Sequence, residues 1–219
     1  MPCKITPCKK TARKIVIAAF LIFAATLITL LARQMNLGPV RAVPVFRAFG
    51  PKTAEIQIYE YTDFACPACR AAHLQLEDMM KLYNCHIAIS FKHYPLVSIH
   101  KWSFHAAAYA DCAGEHGKFR EYAALLFENQ AAWCQAETKP AEFFDYAKKL
   151  KLDPAAFEAC SNKEETIKRV NLEMAEGNLK GVEATPTFFI NGKRAVGVGQ
   201  LLDAAKHFDN LLKAKESGQ

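Results

Sequence analysis

The first forty residues contain no aspartate and no glutamate, although they carry six of the 28 basic residues of this 219-residue chain. Removing those six leaves 22 basic residues in 41–219, equal to the 22 acidic residues. The net charge of +6 therefore arises entirely in the N-terminal segment. Because the remainder is electrically balanced, it has no excess of basic charge of the kind that binds nucleic acid, and we expect no nucleic-acid partner.

The sequence also lacks the cysteine and histidine spacings that indicate a bound metal or haem. Its one CxxC, at Cys66 and Cys69, is not accompanied by a second CxxC, a CxxH or an HxxxH, whereas a structural zinc site needs four ligands. Covalent haem attachment requires a histidine directly after the second cysteine, where Arg70 stands. We therefore expect neither a metal nor any other cofactor.

One long apolar run is present. Ile15–Ala32 contains 18 residues without a charge, and as a helix it would span roughly 27 Å, close to the hydrocarbon core of a bilayer. Five basic residues precede it and one follows, an asymmetry that predicts a cytoplasmic N-terminus and an exported remainder. A cleaved signal peptide is the alternative, but its apolar core is usually about 7–15 residues long. We expect an uncleaved transmembrane anchor at 15–32, a cytoplasmic basic N-terminus at 1–14 and a linker at 33–52.

The cysteine content agrees with export. Two of the eight cysteines, Cys3 and Cys8, precede the predicted anchor and would stay reduced in the cytoplasm. The other six lie where disulfides persist, and six is the even number that a redox pair plus structural bridges requires. These six are Cys66, Cys69, Cys85, Cys112, Cys134 and Cys160.

The order of apolar patterns in 53–219 predicts an α/β fold with an inserted helical subdomain. A strand, a helix and a second strand come first, and a helical block too long for a simple crossover follows. A hairpin with the turn Asn191-Gly192 and a final helix complete the pattern. The predicted elements are strands at Glu55–Tyr61 and Cys85–Tyr94, a helix from Cys66 to about Tyr83, the helical block over about 99–180, hairpin strands at Thr187–Ile190 and Arg194–Val198, and one last helix from Leu201 to Leu212.

The sequence Cys66-Pro67-Ala68-Cys69 stands where the first strand has ended and the helix begins. Cys66 therefore lies at a helix N-terminus, where free amide N–H groups and the helix dipole stabilise a thiolate. A thiolate is the attacking species in disulfide exchange and also the better leaving group. Cys69, one turn further, is expected to be less exposed and to act as the resolving thiol. We interpret Cys66 and Cys69 as the catalytic cysteines of a thiol:disulfide oxidoreductase.

Two longer segments resemble the DsbA-like branch of the thioredoxin superfamily. They are Tyr61–Arg70 (YTDFACPACR) and Gly181–Gly192 (GVEATPTFFING), and the resemblance covers about residues 52–213. It implies a thioredoxin fold with a helical insertion, in agreement with the pattern of elements. It also implies that Thr185-Pro186 faces the CxxC with Pro186 in the cis form. Because a cis-proline exposes the preceding backbone to an extended substrate strand, Thr185 and Pro186 are predicted substrate-binding residues.

Glu60 is the third predicted catalytic residue. It shares a strand face with Ile56 and Ile58, which predicts that it points inward. The resemblance implies an acidic residue beneath the active site at this position. A buried carboxylate has a raised pKa and can exchange a proton with Cys69; a glutamate that reaches solvent from the strand end is the alternative.

No catalytic role is predicted for the other residues considered near the motif. Asp63 is expected to cap or stabilise the turn before Cys66. Strongly oxidising members of the resembled family carry histidine at the position of Ala68, so the redox potential is expected to be milder than theirs. Four histidines fit no motif and are expected to be surface or hydrogen-bonded residues: His73, His93, His100 and His105.

The four remaining exported cysteines allow three pairings. DsbA-like relatives often have cysteines at the positions of Cys112 and Cys160, so the resemblance implies a structural disulfide between these two. Closing about 50 residues would stabilise the fold by roughly 4 kcal/mol. Cys85 and Cys134 can pair or stay free, and the sequence leaves both possibilities open.

The predicted function is that of a dithiol oxidase which introduces disulfides into exported cysteine-containing proteins. A membrane redox partner of the DsbB or VKOR type would reoxidise it. The expected location is the cytoplasmic (inner) membrane, with one span and the catalytic domain in the periplasm or at the cell exterior. A membrane-anchored reductase or isomerase is one alternative, and a non-catalytic peptide-binding domain of thioredoxin-like fold is another.

Overall fold

The computed structural model describes Lys14, residues 17–26 and residues 42–216. The chain divides into two units, residues 1–41 and residues 42–219. Residues 17–26 are helical, but among the described residues no helix is both long and apolar enough to cross a membrane. The two ends of the predicted anchor, residues 15–16 and 27–32, and the first part of the predicted linker lie outside the described residues, as do Cys3 and Cys8.

A five-stranded mixed sheet is the centre of the second unit. Its strands are β1 (Ala48–Phe49), β2 (Ile56–Thr62), β3 (Ile87–His93), β4 (Thr187–Ile190) and β5 (Lys193–Val196), arranged in the order β1-β3-β2-β4-β5. The central pair β2 and β3 is parallel, and every other pair is antiparallel. The central strands are rich in β-branched and aromatic residues, and they are buried along most of their length because helices cover the sheet.

The described helices of the second unit form three groups. The helix that connects β2 to β3 is α1, six helices lie between β3 and β4, and two follow β5. The bounds are α1 Pro67–Tyr83; α2 Ser103–Glu115, α3 Phe119–Glu128, α4 Gln130–Trp133, α5 Glu142–Lys149, α6 Pro154–Ser161 and α7 Glu164–Leu179; α8 Gly197–Ala205 and α9 Phe208–Glu216. The helical block predicted over about 99–180 is thus present as an insertion between two strands of one sheet.

The insertion packs mainly on α2, which contacts α3, α6 and α7. Its alanines allow close approach, and ten of its thirteen residues are buried. Helix α7 returns to the sheet, where Gly177 lies against the rings of Tyr61 and Tyr94. A Cβ at this glycine would come within 2.6 Å of the Tyr94 ring. The glycine therefore lets α7 lie close to the strand ends that lead to the CxxC.

The predicted linker at 33–52 is wrong in its second half, because residues 45–49 belong to the folded domain. A 3₁₀ turn at Val45–Arg47 leads into β1, which pairs with β3. The Arg47 side chain is fully buried, and its Nη1 and Nη2 donate to Glu173 at 2.6 and 2.8 Å. The Nε of Arg47 is 3.0 Å from Asp111 Oδ1. These carboxylates neutralise a charge that by itself favours solvent.

The C-terminal prediction also needs correction. In place of one last helix, α8 ends at Ala205 and α9 begins at Phe208. The break lets Phe208 become buried and pack edge-on against Tyr83 at a ring distance of 5.5 Å. The predicted strand Arg194–Val198 ends at Val196, since Gly197, with φ at +73°, turns the chain into α8.

Candidate active site

The turn after β2 places Cys66 at the start of α1. Cys66 is the N-cap residue, and its carbonyl accepts from Cys69 N at 3.1 Å and Arg70 N at 3.2 Å. Pro67 occupies the first helical position, where the missing N–H leaves no hydrogen bond unmade. The Cys66 sulfur therefore lies where the helix N–H groups and dipole favour negative charge, as the sequence predicts.

The two cysteines are unbonded thiols in very different surroundings. Cys66 is 8% exposed and Cys69 is fully buried. A hydrogen bond from the Cys69 thiol, with further ones from Thr185 and the amides of Cys69 and Ala68, lowers the pKa of Cys66 to about 5. Burial, the hydrogen bond with Cys66 and the charge of Glu60 raise the pKa of Cys69. The pair is thus divided into an ionised outer thiol and a protonated inner thiol.

The segment before β4 faces this pair. The Thr185–Pro186 peptide bond is cis, and the Cys66 thiol lies 3.4 Å from the Thr185 carbonyl oxygen. Strand pairing explains how residues 119 positions apart meet, because β4 runs antiparallel to β2 with Thr187 opposite Tyr61. The ends of the two strands then bring the Thr185-Pro186 loop beside the turn that carries Cys66.

Glu60 points into the core from the middle of the sheet. It lies in β2 between Phe91 of β3 and Phe188 of β4, and its side chain is fully buried. Burial, with a smaller contribution from the negative charge of Cys66, raises the pKa of Glu60 to about 8. Glu60 is therefore protonated near neutral pH and is electrostatically coupled to both cysteines. This geometry agrees with the inward orientation predicted from the alternation along the strand.

Asp63 stabilises the turn, as expected, but through more contacts than a simple cap. Its carboxylate is buried and accepts hydrogen bonds from the amides of Ala65 and Leu96, each at 2.8 Å. His100 Nδ1 lies 2.7 Å from the same carboxylate. Asp63 thereby ties the CxxC turn to residues 96–100, which follow β3. No spacing in the sequence indicated His100 as part of the site.

The segment after β3 also reaches the loop that contains the cis-proline. The hydroxyl of Tyr94 donates to the carbonyl of Val182 at 2.7 Å, and the Tyr94 amide donates to Thr62 O at 2.8 Å. Tyr94 thus contacts both the end of β2, before Cys66, and the segment that leads to Pro186. Residues 94–100 therefore connect the CxxC turn, through Leu96 and His100, to the loop that contains the cis-proline, through Tyr94.

A family model described as Thioredoxin matches residues 44–214. The chain belongs to this thioredoxin family. The predicted α/β thioredoxin-like fold with a helical insertion is confirmed by this match and by similar solved structures.

Two of those structures align over most of both chains. The alpha-DsbA1 of Wolbachia pipientis aligns with a TM-score of 0.71 and 20% identity, over 82% of this chain and 98% of that one. BdbD from Bacillus subtilis, in its oxidised form, aligns with a TM-score of 0.66 and 21% identity, over 76% and 92%. At these identities the likeness shows a shared fold.

Curated relatives by sequence are longer proteins. One named Na(+)/H(+) antiporter NhaA 3, from Salinispora tropica, is 32% identical over 148 residues, which are 68% of this chain and 22% of that protein. Others named Na(+)/H(+) antiporter NhaA 1, from Mycobacterium sp., are 28% identical over 78% of this chain and 26% of theirs. The chain therefore spans about a fifth to a quarter of the length of the curated relatives it matches.

The helical insertion of this thioredoxin-family chain contributes a residue that the sequence did not point to. Gln130, in α4, is mostly buried, and its Nε2 donates to the carbonyls of Phe64 at 2.7 Å and Cys66 at 3.0 Å. These two carbonyls belong to the turn that carries the thiol pair. Gln130 therefore couples the insertion to the position of Cys66.

A disulfide joins Cys112 of α2 to Cys160 of α6, with an S–S distance of 2.03 Å. This is the pairing that the family resemblance implied, and it crosslinks two helices of the insertion. Cys85 and Cys134 are both unpaired. Cys85 is exposed beyond the end of α1, whereas Cys134 is partly buried beside the CxxC turn, where burial raises its pKa to about 12.

Proposed function

We propose that this protein is an extracytoplasmic thiol:disulfide oxidoreductase that passes a Cys66–Cys69 disulfide to exported cysteine-containing proteins. The observation that carries the proposal is the division of the pair, with the pKa of Cys66 lowered to about 5 and that of Cys69 raised. A stabilised thiolate at the outer cysteine, Cys66, favours the reduced form, and that makes the disulfide a better oxidant.

The size of this effect can be worked out from the pKa of Cys66. At pH 7 the solution lies two pH units above that pKa, whereas a thiol with an ordinary pKa near 9 is almost entirely protonated. At pH 7 the reduced pair is then stabilised by about 3 kcal/mol relative to a pair with an ordinary thiol, at about 1.4 kcal/mol per pKa unit. For a two-electron couple this corresponds to a redox potential about 60 mV higher than that of a pair with an ordinary thiol. The low pKa of Cys66 therefore favours a disulfide that oxidises more strongly than one formed from ordinary thiols.

In the proposed reaction a substrate thiolate attacks the Cys66 sulfur of the disulfide. The S–S bond breaks, its electron pair moves to Cys69, and a mixed disulfide joins Cys66 to the substrate. A second substrate thiolate then attacks the substrate sulfur, and Cys66 leaves as a thiolate. The substrate dithiol loses two electrons and the protein pair gains them. Protonated Glu60 supplies the proton that Cys69 takes up, because the pKa of Cys69 is raised well above its ordinary value near 9 whereas that of Glu60 is about 8.

The substrate is proposed to lie along the loop that contains Thr185 and Pro186. The proximity of the Thr185 carbonyl to the Cys66 sulfur supports this placement, because backbone pairing there would align an extended chain with the reacting sulfur. A membrane redox partner of the DsbB or VKOR type is proposed to restore the disulfide. Residues 15–32 are proposed to anchor the domain to the cytoplasmic (inner) membrane, with the catalytic domain in the periplasm or at the cell exterior.

The redox potential of the Cys66–Cys69 pair tests the function. Equilibration of the full-length chain with glutathione buffers should give a value above about −270 mV, that of thioredoxin, and below about −120 mV, that of DsbA. The reduced protein should also melt at or above the temperature of the oxidised protein. A potential near −270 mV with a more stable oxidised form would contradict the oxidase and favour a reductase.

Oxidation of a reduced, unfolded test protein provides the activity measurement. The chain in its oxidised form should introduce disulfides into this substrate, and Cys66→Ser should abolish the transfer. Cys85→Ser is the matched control, because Cys85 is an unpaired and exposed cysteine outside the site. Loss of activity in the control variant, or its retention in Cys66→Ser, would contradict the proposed role of the pair.

The anchoring proposal has its own test. Protease added to intact spheroplasts should digest residues 41–219 and spare the N-terminus, because five basic residues before Ile15 favour a cytoplasmic location. Digestion only after lysis of the spheroplasts would refute the topology without bearing on the chemistry.

A further inference from the structure

Asp63 contacts both cysteines through its main chain. Its N–H donates to Cys69 Sγ at 3.4 Å, and its carbonyl accepts from the Cys66 amide at 3.0 Å. The N–H is therefore directed at the sulfur that must accept the electron pair when the disulfide opens. Among the described residues, no other hydrogen bond from a main-chain amide outside α1 to either sulfur is seen.

The side chain of Asp63 holds this peptide in place. Its Oδ1 accepts from the Ala65 amide, and its Oδ2 accepts from the Leu96 amide and contacts His100 Nδ1 at 2.7 Å. Because the carboxylate already accepts two amide hydrogen bonds, it acts as an acceptor toward the ring, and Nδ1 donates. Three donors from two separate stretches of chain thus define where the Asp63 peptide lies.

We propose that Asp63 and His100 are positioning residues that hold the Asp63 N–H against Cys69 Sγ, so that this N–H stabilises the departing thiolate. The inference rests on the proposed function and deepens it by assigning the group that stabilises the buried leaving sulfur. When a substrate thiolate bonds to Cys66, the electron pair of the broken S–S bond passes to Cys69. The rate of this step depends on the stability of the leaving thiolate.

Cys69 needs such a donor because its surroundings otherwise oppose a negative charge. Burial raises its pKa, and the nearby carboxyl of Glu60 adds to this effect, whereas the Asp63 amide acts in the opposite direction. A preorganised N–H that faces the developing charge is the arrangement that protein sites use to stabilise anionic leaving groups. The carboxylate of Asp63 itself contacts the Ala65 and Leu96 amides and His100, and it takes no part in the electron transfer.

His100 is the accessible end of this arrangement. Its side chain is 21% exposed, whereas that of Asp63 is fully buried. It borders a cavity of about 440 Å³ that Ala65, Pro67 and Cys134 also line, immediately beside the active-site turn. A substitution at His100 therefore alters the hydrogen bonding of Asp63 without removing a side chain from the core.

The test compares exchange rates in variants of the full-length chain. His100→Ala and His100→Leu remove the donor, and His100→Leu keeps most of the side-chain volume. His100→Asn keeps an N–H donor close to the position of Nδ1. His116→Ala is the matched control, because His116 is an exposed histidine at the end of α2, away from the turn. Each oxidised variant is mixed with dithiothreitol, quenched with acid, alkylated and analysed by mass for the Cys66–Cys69 peptide.

We expect both donor-free variants to open the disulfide about tenfold more slowly, which corresponds to about 1.4 kcal/mol in the barrier. His100→Asn and His116→Ala should stay within about twofold of the wild-type rate, by the same conversion a difference of less than about 0.5 kcal/mol. Alkylation of reduced Cys66 should be unchanged in all variants, because that reaction does not involve a charge on Cys69. This split between the two rates separates positioning from a general loosening of the fold.

Three outcomes would overturn the inference: wild-type exchange rates in both donor-free variants, equal slowing in His100→Asn, or a parallel fall in Cys66 alkylation. His100→Leu decides the matter if His100→Ala does not fold. A wild-type disulfide that fails to exchange with dithiothreitol at all would instead refute the proposed function.

Discussion

Replacing Cys69 with alanine removes the hydrogen bond that contributes most to the low pKa of Cys66. A hydrogen bond to a charged group contributes about 1.5–3 kcal/mol, and one pKa unit corresponds to about 1.36 kcal/mol. The pKa of Cys66 should therefore rise by about one to two units from its value of about 5. It should remain below the ordinary value, because the Thr185 and helix N–H contacts are retained.

Cys69→Ser is the matched variant, since the serine hydroxyl keeps a donor at nearly the same position. The pKa of Cys66 in this variant should stay near its wild-type value. Thiolate absorbance at 240 nm, followed from pH 3 to pH 9, gives both values directly. The measurement is made with Cys3, Cys8, Cys85 and Cys134 replaced by alanine, because reduced thiols outside the pair would otherwise contribute to the signal.

The two variants differ in whether the side chain of residue 69 carries a hydrogen-bond donor, and they differ little in side-chain volume. A difference in the pKa of Cys66 between them can therefore be assigned to the donor. If Cys69→Ala and Cys69→Ser have the same Cys66 pKa, the inner thiol does not stabilise the outer thiolate. The low pKa would then have to come from the helix N-terminus and Thr185 alone. A value near 9 in both variants would contradict the geometry of the site as a whole.

Four further outcomes follow from the same structure. Ala68→His should raise the redox potential by tens of millivolts, because about 30 mV corresponds to about 1.4 kcal/mol of added thiolate stabilisation; an unchanged potential in glutathione buffers would count against a histidine effect here. Since the folded-state pKa of Cys66 is lowered, its contribution to the stability of the reduced form is lost as pH falls toward about 5. The reduced form should therefore lose about 2 kcal/mol relative to the oxidised form between pH 7 and pH 5, measured by urea unfolding at each pH; equal losses in both forms would refute this. Glu60→Gln should remove an inflection near pH 8 from the pH profile of disulfide exchange, because that pKa belongs to Glu60; an inflection that persists in the variant must belong to another group. Replacing Cys112 and Cys160 together with alanine should lower the unfolding free energy by about 4 kcal/mol for a loop of this length and leave alkylation of Cys66 unchanged; a change below about 1 kcal/mol would contradict the chain-entropy argument.

The extension of the domain before β2 shows where local pattern fails. Residues 45–49 have no clear period and two prolines precede them, so they were predicted as linker. Their structure depends on Arg47, whose partners Asp111 and Glu173 lie 64 and 126 positions away. Arginine is mostly solvent-exposed in proteins, so its burial is not predicted unless the carboxylates that neutralise it are known. Only the return of α7 to the sheet brings Glu173 to that place.

The residues of the candidate site likewise include some that the sequence predicts and some that it does not. The sequence predicts the places of Cys66, Cys69 and Glu60, because a strand end, a helix start and strand alternation are local features. The Thr185-Pro186 loop is predicted by the family resemblance. His100 and Gln130 are not predicted, since each acts through a hydrogen bond to a turn 37 or 64 positions away. A lone histidine or glutamine carries no periodic signal that distinguishes such a contact from exposure to solvent.

The sequence by itself determined the order of the elements from β2 to β5, the helical insertion and the location of the thiol pair. Each follows from the chemistry of neighbouring residues: hydrophobic period, turn residues and two cysteines spaced one helical turn apart. The tertiary structure decided the interactions that separate the pKa values of Cys66 and Cys69 beyond the effect of the helix N-terminus. That further difference comes from burial, from the Thr185 loop that β4 brings beside β2, and from Glu60 beneath the pair. Electrostatic interactions of this kind depend on distance through space and on exclusion of water, and neither is encoded by position along the chain.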